Sequence, residues 1–347
     1  MARKTHRGLI AAGAVVMIAA IAAAAFIAPR RGAEPIPPAE LKTRYATPES
    51  RFVEVAGVTV HYRDEGTGPA LLLVHGSYGN LHSFDGMLPL LRERYRVIRF
   101  DQAPGGLSGT VPDGFNLTPE AFTRAFLEKI GVDRVAVLGN SSGGIFAYRY
   151  AATYPEDVYG LVLTNVPPSA PVDNAAARRR RDWYSRLSST VCEWFSGPQS
   201  RTCWRDFLYA LFVRDEQVTE DLVTQYFEMN RKVEARRFTT MTAIMREDDK
   251  VIDFLARVRA PTLLLWGTHS PVLPPPTMQI LQSRLTGTRV ETQVLQNVGH
   301  YPPLEAPREV AEATDEFLRR VLAEVGAAPT GGATNMPTAT SLPAASP

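Results

Sequence analysis

The chain has 347 residues, 45% apolar and 21% charged, with 27 Pro and 25 Gly, a usage that excludes fibrous and wholly disordered proteins. A net charge of +2 supplies no concentrated basic face and argues against nucleic-acid binding. Two cysteines, Cys192 and Cys203, are too few for a disulfide scaffold and lack the paired spacing of a structural zinc site, so no metal or cofactor is called for.

In chain order, the flank 1–8 holds Arg3, Lys4 and Arg7, and residues 9–28 (LIAAGAVVMIAAIAAAAFIA) follow without a charge. That is about the 20 residues a helix needs to cross a hydrocarbon core. The Leu, Ile, Val and Phe residues of the run contribute at most about −2 to −5 kcal/mol of insertion energy, because half of it is Ala. The run exceeds the roughly 7–15 residues of a signal-peptide apolar region, which favours a single-pass anchor over a cleaved signal peptide. Arg3, Lys4 and Arg7 before it, against Arg30 and Arg31 after it, orient the N-terminus inward. The remainder is then expected outside the cytoplasm, in a periplasm or at a cell surface. Residues 29–50 contain Pro29, Pro35, Pro37, Pro38 and Pro48 and read as an extended spacer.

An edge hairpin is expected over 51–66. Apolar runs at 70–75, 95–101, 134–138, 161–165 and 261–267, and an apparent last strand RVETQVLQ, read as strands. Helical patterns lie at 117–130 and at 308–323, the latter with Val310, Ala313, Phe317 and Val321 on one face. Such alternation implies an α/β fold whose mostly parallel sheet is covered on both faces. No strand signal interrupts 167–257, where aromatics such as Trp183, Trp194, Trp204 and Phe207 accumulate. This segment is expected to be a helical cap inserted in a core of 51–166 and 258–325. Most of its aromatics fill its own interior, and a few line a pocket beneath it. Arg178–Arg181 reads as a solvated helix face. Residues 326–347 carry no charge and little bulky apolar content, and are expected to be a disordered tail.

The run 134–138 leads into Gly139-Asn140-Ser141-Ser142-Gly143-Gly144 and then a helical pattern, a G-x-S-x-G between strand and helix. The bare pattern arises by chance in roughly one chain in ten of this length, so its placement gives it weight. A sharp turn that presents Ser141 brings backbone so close that a Cβ at 139 or 143 would clash. A serine nucleophile needs a base, and His300, after the last strand, lies in the loop layer at the strand ends. His75 is assigned to shaping its loop. The amides of Ser77 and Ser142 can meet an oxyanion, and Tyr78 either overhangs the same pocket or is a surface aromatic.

In the order HGS (75–77), FDQAPGGLSG (100–109), GNSSGG (139–144), PTLLLWGTHSPV (261–272) and VGHYPPLEAP (298–307), residues 51–325 resemble the α/β-hydrolase superfamily. The resemblance implies an α/β-hydrolase fold with a cap between the sixth and seventh strands, Ser141 as nucleophile, His300 as base, and Ser77 and Ser142 as oxyanion donors. The GNSSGG stretch is also similar to C–C bond hydrolases and esterases of this fold. Two positions depart from the family pattern. Pro104 stands one place late in the loop after Asp101. Ser270 occupies the usual position of the acid, after the seventh strand, and the other known position, at the end of strand six, holds Asn165. Ser270 or Asn165 can orient His300 without supplying charge, and a cap carboxylate, from Glu247, Asp248 or Asp249, is the remaining source.

Three functions stand in view. The first is a membrane-anchored serine hydrolase that cleaves a small carboxylic ester through an acyl-enzyme, with reduced activity. The second is a binding protein of the same fold whose catalysis has lapsed with the acid. The third is C–C bond hydrolysis or acyl transfer to an alcohol. Cys192 and Cys203 form a bridge if this portion is extracytoplasmic, or are free buried thiols.

Overall fold

The computed structural model describes residues 34–168, 200–232 and 248–327. Eight strands form one sheet: β1 (Arg51–Val55), β2 (Val58–Glu65), β3 (Ala70–Val74), β4 (Arg96–Phe100), β5 (Val135–Asn140), β6 (Val158–Thr164), β7 (Thr262–Gly267) and β8 (Val290–Leu295). Their order is β1-β2-β4-β3-β5-β6-β7-β8. The hairpin β1–β2 joins β4 antiparallel, and every pairing from β4 to β8 is parallel. The apolar runs become central strands because both sides of each are covered. Leu72 and Val74 of β3 enter one core while Leu71 and Leu73 enter the other, and Val137 and Leu138 of β5 divide likewise.

The helices are α1 (Pro38–Tyr45), α2 (Leu88–Leu91), α3 (Pro119–Lys129), α4 (Ser142–Thr153), α5 (Arg201–Leu211), α6 (Glu220–Met229), α7 (Asp248–Arg257), α8 (Pro276–Arg284), α9 (Pro302–Glu305) and α10 (Pro307–Ala327). Thr118 caps α3 by accepting the Ala121 N–H, and Pro119 at the first helical position loses no hydrogen bond there. Along α10, Val310, Ala313, Phe317 and Val321 are all buried, as their spacing requires.

Two expectations change. The segment before the sheet is more than a spacer, because part of it folds as α1, which buries Leu41 and pairs Arg44 with Glu228 of α6. Pro38 permits this, since a proline at the first helical position supplies the φ a helix needs. The stretch 248–257, expected in the cap, packs on α4 instead. Leu255 is fully buried with the sheet's core, and Phe254 lies under the Arg149 guanidinium at 4.6 Å. The cap's described part is thus α5, α6 and the turn between them, with an interior of Trp204, Leu208, Val223 and Tyr226. Residues 9–28, Cys192, Glu247, the arginines 178–181 and the tail from 328 lie outside the described residues. Among those described, no helix is long and apolar enough to cross a membrane.

The strand order reverses direction between β3 and β5, which opens a crevice at their carboxyl ends. The loop after β3 and the turn after β5 therefore face each other.

Candidate active site

At the end of β5 the chain turns at Ser141 with φ 51° and ψ −123°, and α4 starts at the next residue. A non-glycine residue holds such a backbone only when its surroundings impose it. Here the Ser141 N–H donates to the Thr164 carbonyl at 3.0 Å, and the Asn140 amide donates to the Thr164 hydroxyl at 2.8 Å. A Cβ on Gly139 would lie 2.5 Å from the Gly143 carbonyl oxygen, and one on Gly143 would lie 2.3 Å from that of Val74. Both glycines are therefore required for the reason their spacing suggested.

Ser141 Oγ lies 3.0 Å from His300 Nε2, across 159 residues of chain. His300 Nδ1 lies 3.1 Å from Ser270 Oγ, which also accepts the Leu273 N–H at 3.1 Å. Both His300 and Ser270 are buried. Ser77, after β3, meets Ser142 hydroxyl to hydroxyl at 2.9 Å. Neither the Ser77 nor the Ser142 backbone N–H is used by another group among the described residues. The arrangement can attack a carbonyl, accept the hydroxyl proton and donate two hydrogen bonds to the oxygen.

A sequence profile of the α/β-hydrolase fold matches residues 69–307. The chain belongs to this family. Among curated proteins it is similar to a fluoroacetate dehalogenase from Burkholderia sp, 34% identical over 146 residues, which are 39% of this chain and 48% of that protein. The chain thus spans about half the length of that relative. It is also similar to haloalkane dehalogenase 2 of Mycobacterium tuberculosis, 27% identical over 77% of this chain and 94% of that one. Among solved structures, a bacterial membrane phospholipase A superposes with a TM-score of 0.67 at 24% identity, covering 91% of this chain and 99% of that chain, a likeness of fold.

In this α/β-hydrolase the group at His300 Nδ1 is a hydroxyl. Asn165, the other expected orienter, does not reach the imidazole. Its Nδ2 donates to the Gly299 carbonyl at 2.7 Å and its Oδ1 accepts the Gly267 N–H at 3.1 Å, so it ties the ends of β6 and β7 to the histidine loop. Glu247 and the side chains of Asp248 and Asp249 lie outside the described residues. Burial alone lowers the His300 pKa from 6.5 to about 4, with no carboxylate among the described residues countering it. The imidazole is therefore neutral, and able to accept a proton, well into the acid range. For any reaction in which His300 accepts the proton, the acid limb of kcat/KM is expected near pH 4, the rate falling as pH drops through that value. A limb in the ordinary histidine range would contradict it.

Glu305, five positions after His300, is buried beneath the site and has a part that the sequence did not indicate. One carboxylate oxygen accepts the Val213 and Arg214 N–H groups at 2.7 and 2.8 Å, and the other accepts the Gly299 N–H at 2.7 Å. The His300 N–H donates to the Leu211 carbonyl at 2.7 Å. The histidine loop is thus clasped to the carboxyl end of cap helix α5, which positions the His300 ring. No sequence signal marks a contact between 305 and 213.

His75 shapes its loop, as expected. Its Nδ1 lies 2.9 Å from the Gly76 carbonyl and its Nε2 accepts the Gln102 N–H at 3.0 Å, which fixes one neutral tautomer, and burial lowers its pKa. The Ala103–Pro104 peptide is cis, and the Pro104 and Ser108 carbonyls both accept from Lys232 of the cap. The displaced proline thus sits in a loop held down from above.

A second Ser–His–Asp chain lies elsewhere. Ser50 Oγ is 2.9 Å from His61 Nε2, and His61 Nδ1 is 2.8 Å from Asp101. It is a brace. Asp101 also accepts the Leu81 and Leu107 N–H groups, Ser50 Oγ accepts the Thr47 N–H, and Phe52 stacks on the ring. The residue types match a catalytic triad, but Ser50 occupies an ordinary turn and not a strand-to-helix elbow.

Proposed function

We propose that this α/β-hydrolase is a serine hydrolase that cleaves carboxylic esters through an acyl-enzyme. Ser141 attacks the carbonyl while His300 Nε2 takes its proton. The Ser77 and Ser142 N–H groups hold the developing oxyanion. The same histidine returns the proton to the leaving alkoxide and then activates water to release the acid. Ser270 orients the ring through Nδ1 as a neutral acceptor, which makes the reaction slow. The observation that carries the reading is the 3.0 Å contact between Ser141 Oγ and His300 Nε2 at a strained elbow, beside two amides that no other group uses among the described residues.

The dehalogenases named among the relatives act on carbon–halogen bonds, and the nucleophile at position 141 argues against that chemistry here. A serine oxygen that displaced halide from a saturated carbon would form an alkyl ether, which water does not cleave, and turnover would stop. An acyl ester on serine is hydrolysable. C–C bond hydrolysis or acyl transfer to an alcohol would use the same acyl-enzyme. The reading that the chain is an impaired binding protein draws on one observation, the hydroxyl at Ser270.

Residues 9–28 anchor the protein in this reading, with the catalytic domain on the extracytoplasmic side. The disulfide at Cys203 supports an oxidising compartment. Cys192, the chain's other cysteine, lies outside the described residues.

A fluorophosphonate probe tests the chemistry, because it modifies only an activated serine. After digestion, mass spectrometry is expected to find the adduct on Ser141 and none on Ser50. An unlabelled Ser141 in folded protein would remove the basis of the proposal.

A further inference from the structure

The segment between the apolar run and the sheet is bound to the cap beside the site. The Glu34 carbonyl accepts from the Arg231 guanidinium, with Nε at 3.1 Å, and the Ile36 N–H donates to the Arg231 carbonyl at 3.1 Å. Ile36 is buried against Lys232. Further along, Arg44 and the Tyr45 hydroxyl both hold the Glu228 carboxylate, at 2.6 and 2.8 Å. The residue before Arg231 is Asn230, whose side-chain amide donates to the Tyr78 carbonyl at 3.0 Å. Tyr78 directly follows the oxyanion donor Ser77. A continuous line of contacts therefore runs from Glu34 to the oxyanion loop.

Covalent geometry bounds the other side. Ala28 and Glu34 are six residues apart, so their Cα atoms can be separated by no more than about 20 Å. If 9–28 spans a bilayer, the membrane surface lies within that distance of Glu34, and the strap keeps the cap and oxyanion loop there. The side chain at this place suits an interface. Tyr78 is 46% exposed and packs edge-on against Trp204 and Phe207 of α5, with ring centroids at 5.4 and 5.7 Å. Tyr and Trp rings favour the headgroup level of a membrane.

We infer that the strap 34–45 holds the mouth of the site against the bilayer and that the substrates are acyl esters of membrane lipids, taken from the membrane surface. This deepens the ester-hydrolase reading and rests on it. The bound strap makes the distance short, and a free linker of similar length would let the site swing away.

The test uses the full chain reconstituted in phosphatidylcholine vesicles that carry a fluorogenic diacyl lipid ester, with p-nitrophenyl butyrate as the soluble comparison. The variant inserts twenty Gly and Ser residues between Arg31 and Gly32, outside every strap contact among the described residues. Lipid-ester hydrolysis is expected to fall at least about fivefold in the variant while butyrate hydrolysis is unchanged, which also reports that the fold is intact. Equal lipid hydrolysis by both forms, no lipid hydrolysis by a form that cleaves butyrate, or protein that fails to float with the vesicles would each overturn the inference and leave the ester reading standing. Failure of the wild type on both esters would overturn the ester reading, and the inference with it.

Discussion

Replacing Ser141 by Ala is expected to lower kcat/KM for p-nitrophenyl butyrate by about 10²–10⁴-fold, with KM little changed. The size follows from how such groups combine. In a serine protease with a full triad, loss of the serine costs about 2 × 10⁶ in kcat and loss of the acid alone about 3 × 10⁴, and the effects do not add. With a hydroxyl in the acid's place, most of what the acid supplies is already missing, and removing the serine takes away roughly the remaining 10². The Ser270 hydroxyl at 3.1 Å still fixes the ring, so the loss lies above that floor. KM is expected to hold because the Ser141 hydroxyl acts in the transition state and contributes little to ground-state binding. An unchanged rate in the Ala variant would mean that the hydrolysis comes from elsewhere in the molecule.

Ser270→Asp is expected to raise kcat/KM by about 10² or more. The hydroxyl at this position can accept the Nδ1 proton or donate its own, so it does not by itself enforce the tautomer that leaves Nε2 free. A carboxylate can only accept. It also stabilises the imidazolium that forms as Ser141 loses its proton, which a neutral hydroxyl does not do. Burying the new charge is tolerable because its partners are in place: the Leu273 N–H already points at the position, and His300 Nδ1 faces it. The pH profile supplies an independent readout. With burial alone acting, the His300 pKa lies at about 4, and an adjacent carboxylate raises it, so the acid limb is expected to move upward as the rate increases. A folded variant with neither change would favour the binding-protein reading, since a competent site would respond to its missing charge.

Much of the candidate site's geometry was legible because its causes are local. Gly139 and Gly143 frame Ser141 within five residues, and steric contact at a tight turn is decided by near neighbours. The central strands announce themselves because both of their faces are buried, so their apolar runs are continuous. That Ser77 and Ser142 meet was also foreseeable. Each follows a strand end, and β3 and β5 are adjacent in a sheet that reverses its order between them.

The partner of His300 Nδ1 was not decidable from the chain. Ser270 and Asn165 both stand at strand ends near the histidine, and only the packing of the loops turns one toward the ring and the other toward Gly299. Composition misread two segments. Proline content alone made 29–50 a spacer, whereas the contacts of Arg44 and Tyr45 with Glu228, more than 180 residues away, dock α1 on the cap. The absence of a strand signal placed α7 in the cap, although its apolar face completes the core against α4. By itself, then, the sequence determined the parallel sheet, the elbow and Ser141 and His300 as its candidate pair, because periodicity and backbone sterics act over a few residues. Only the tertiary structure decided what faces His300 Nδ1, what clasps the histidine loop to the cap through Glu305 and where the N-terminal strap lies, because those depend on contacts between residues that the chain itself keeps far apart.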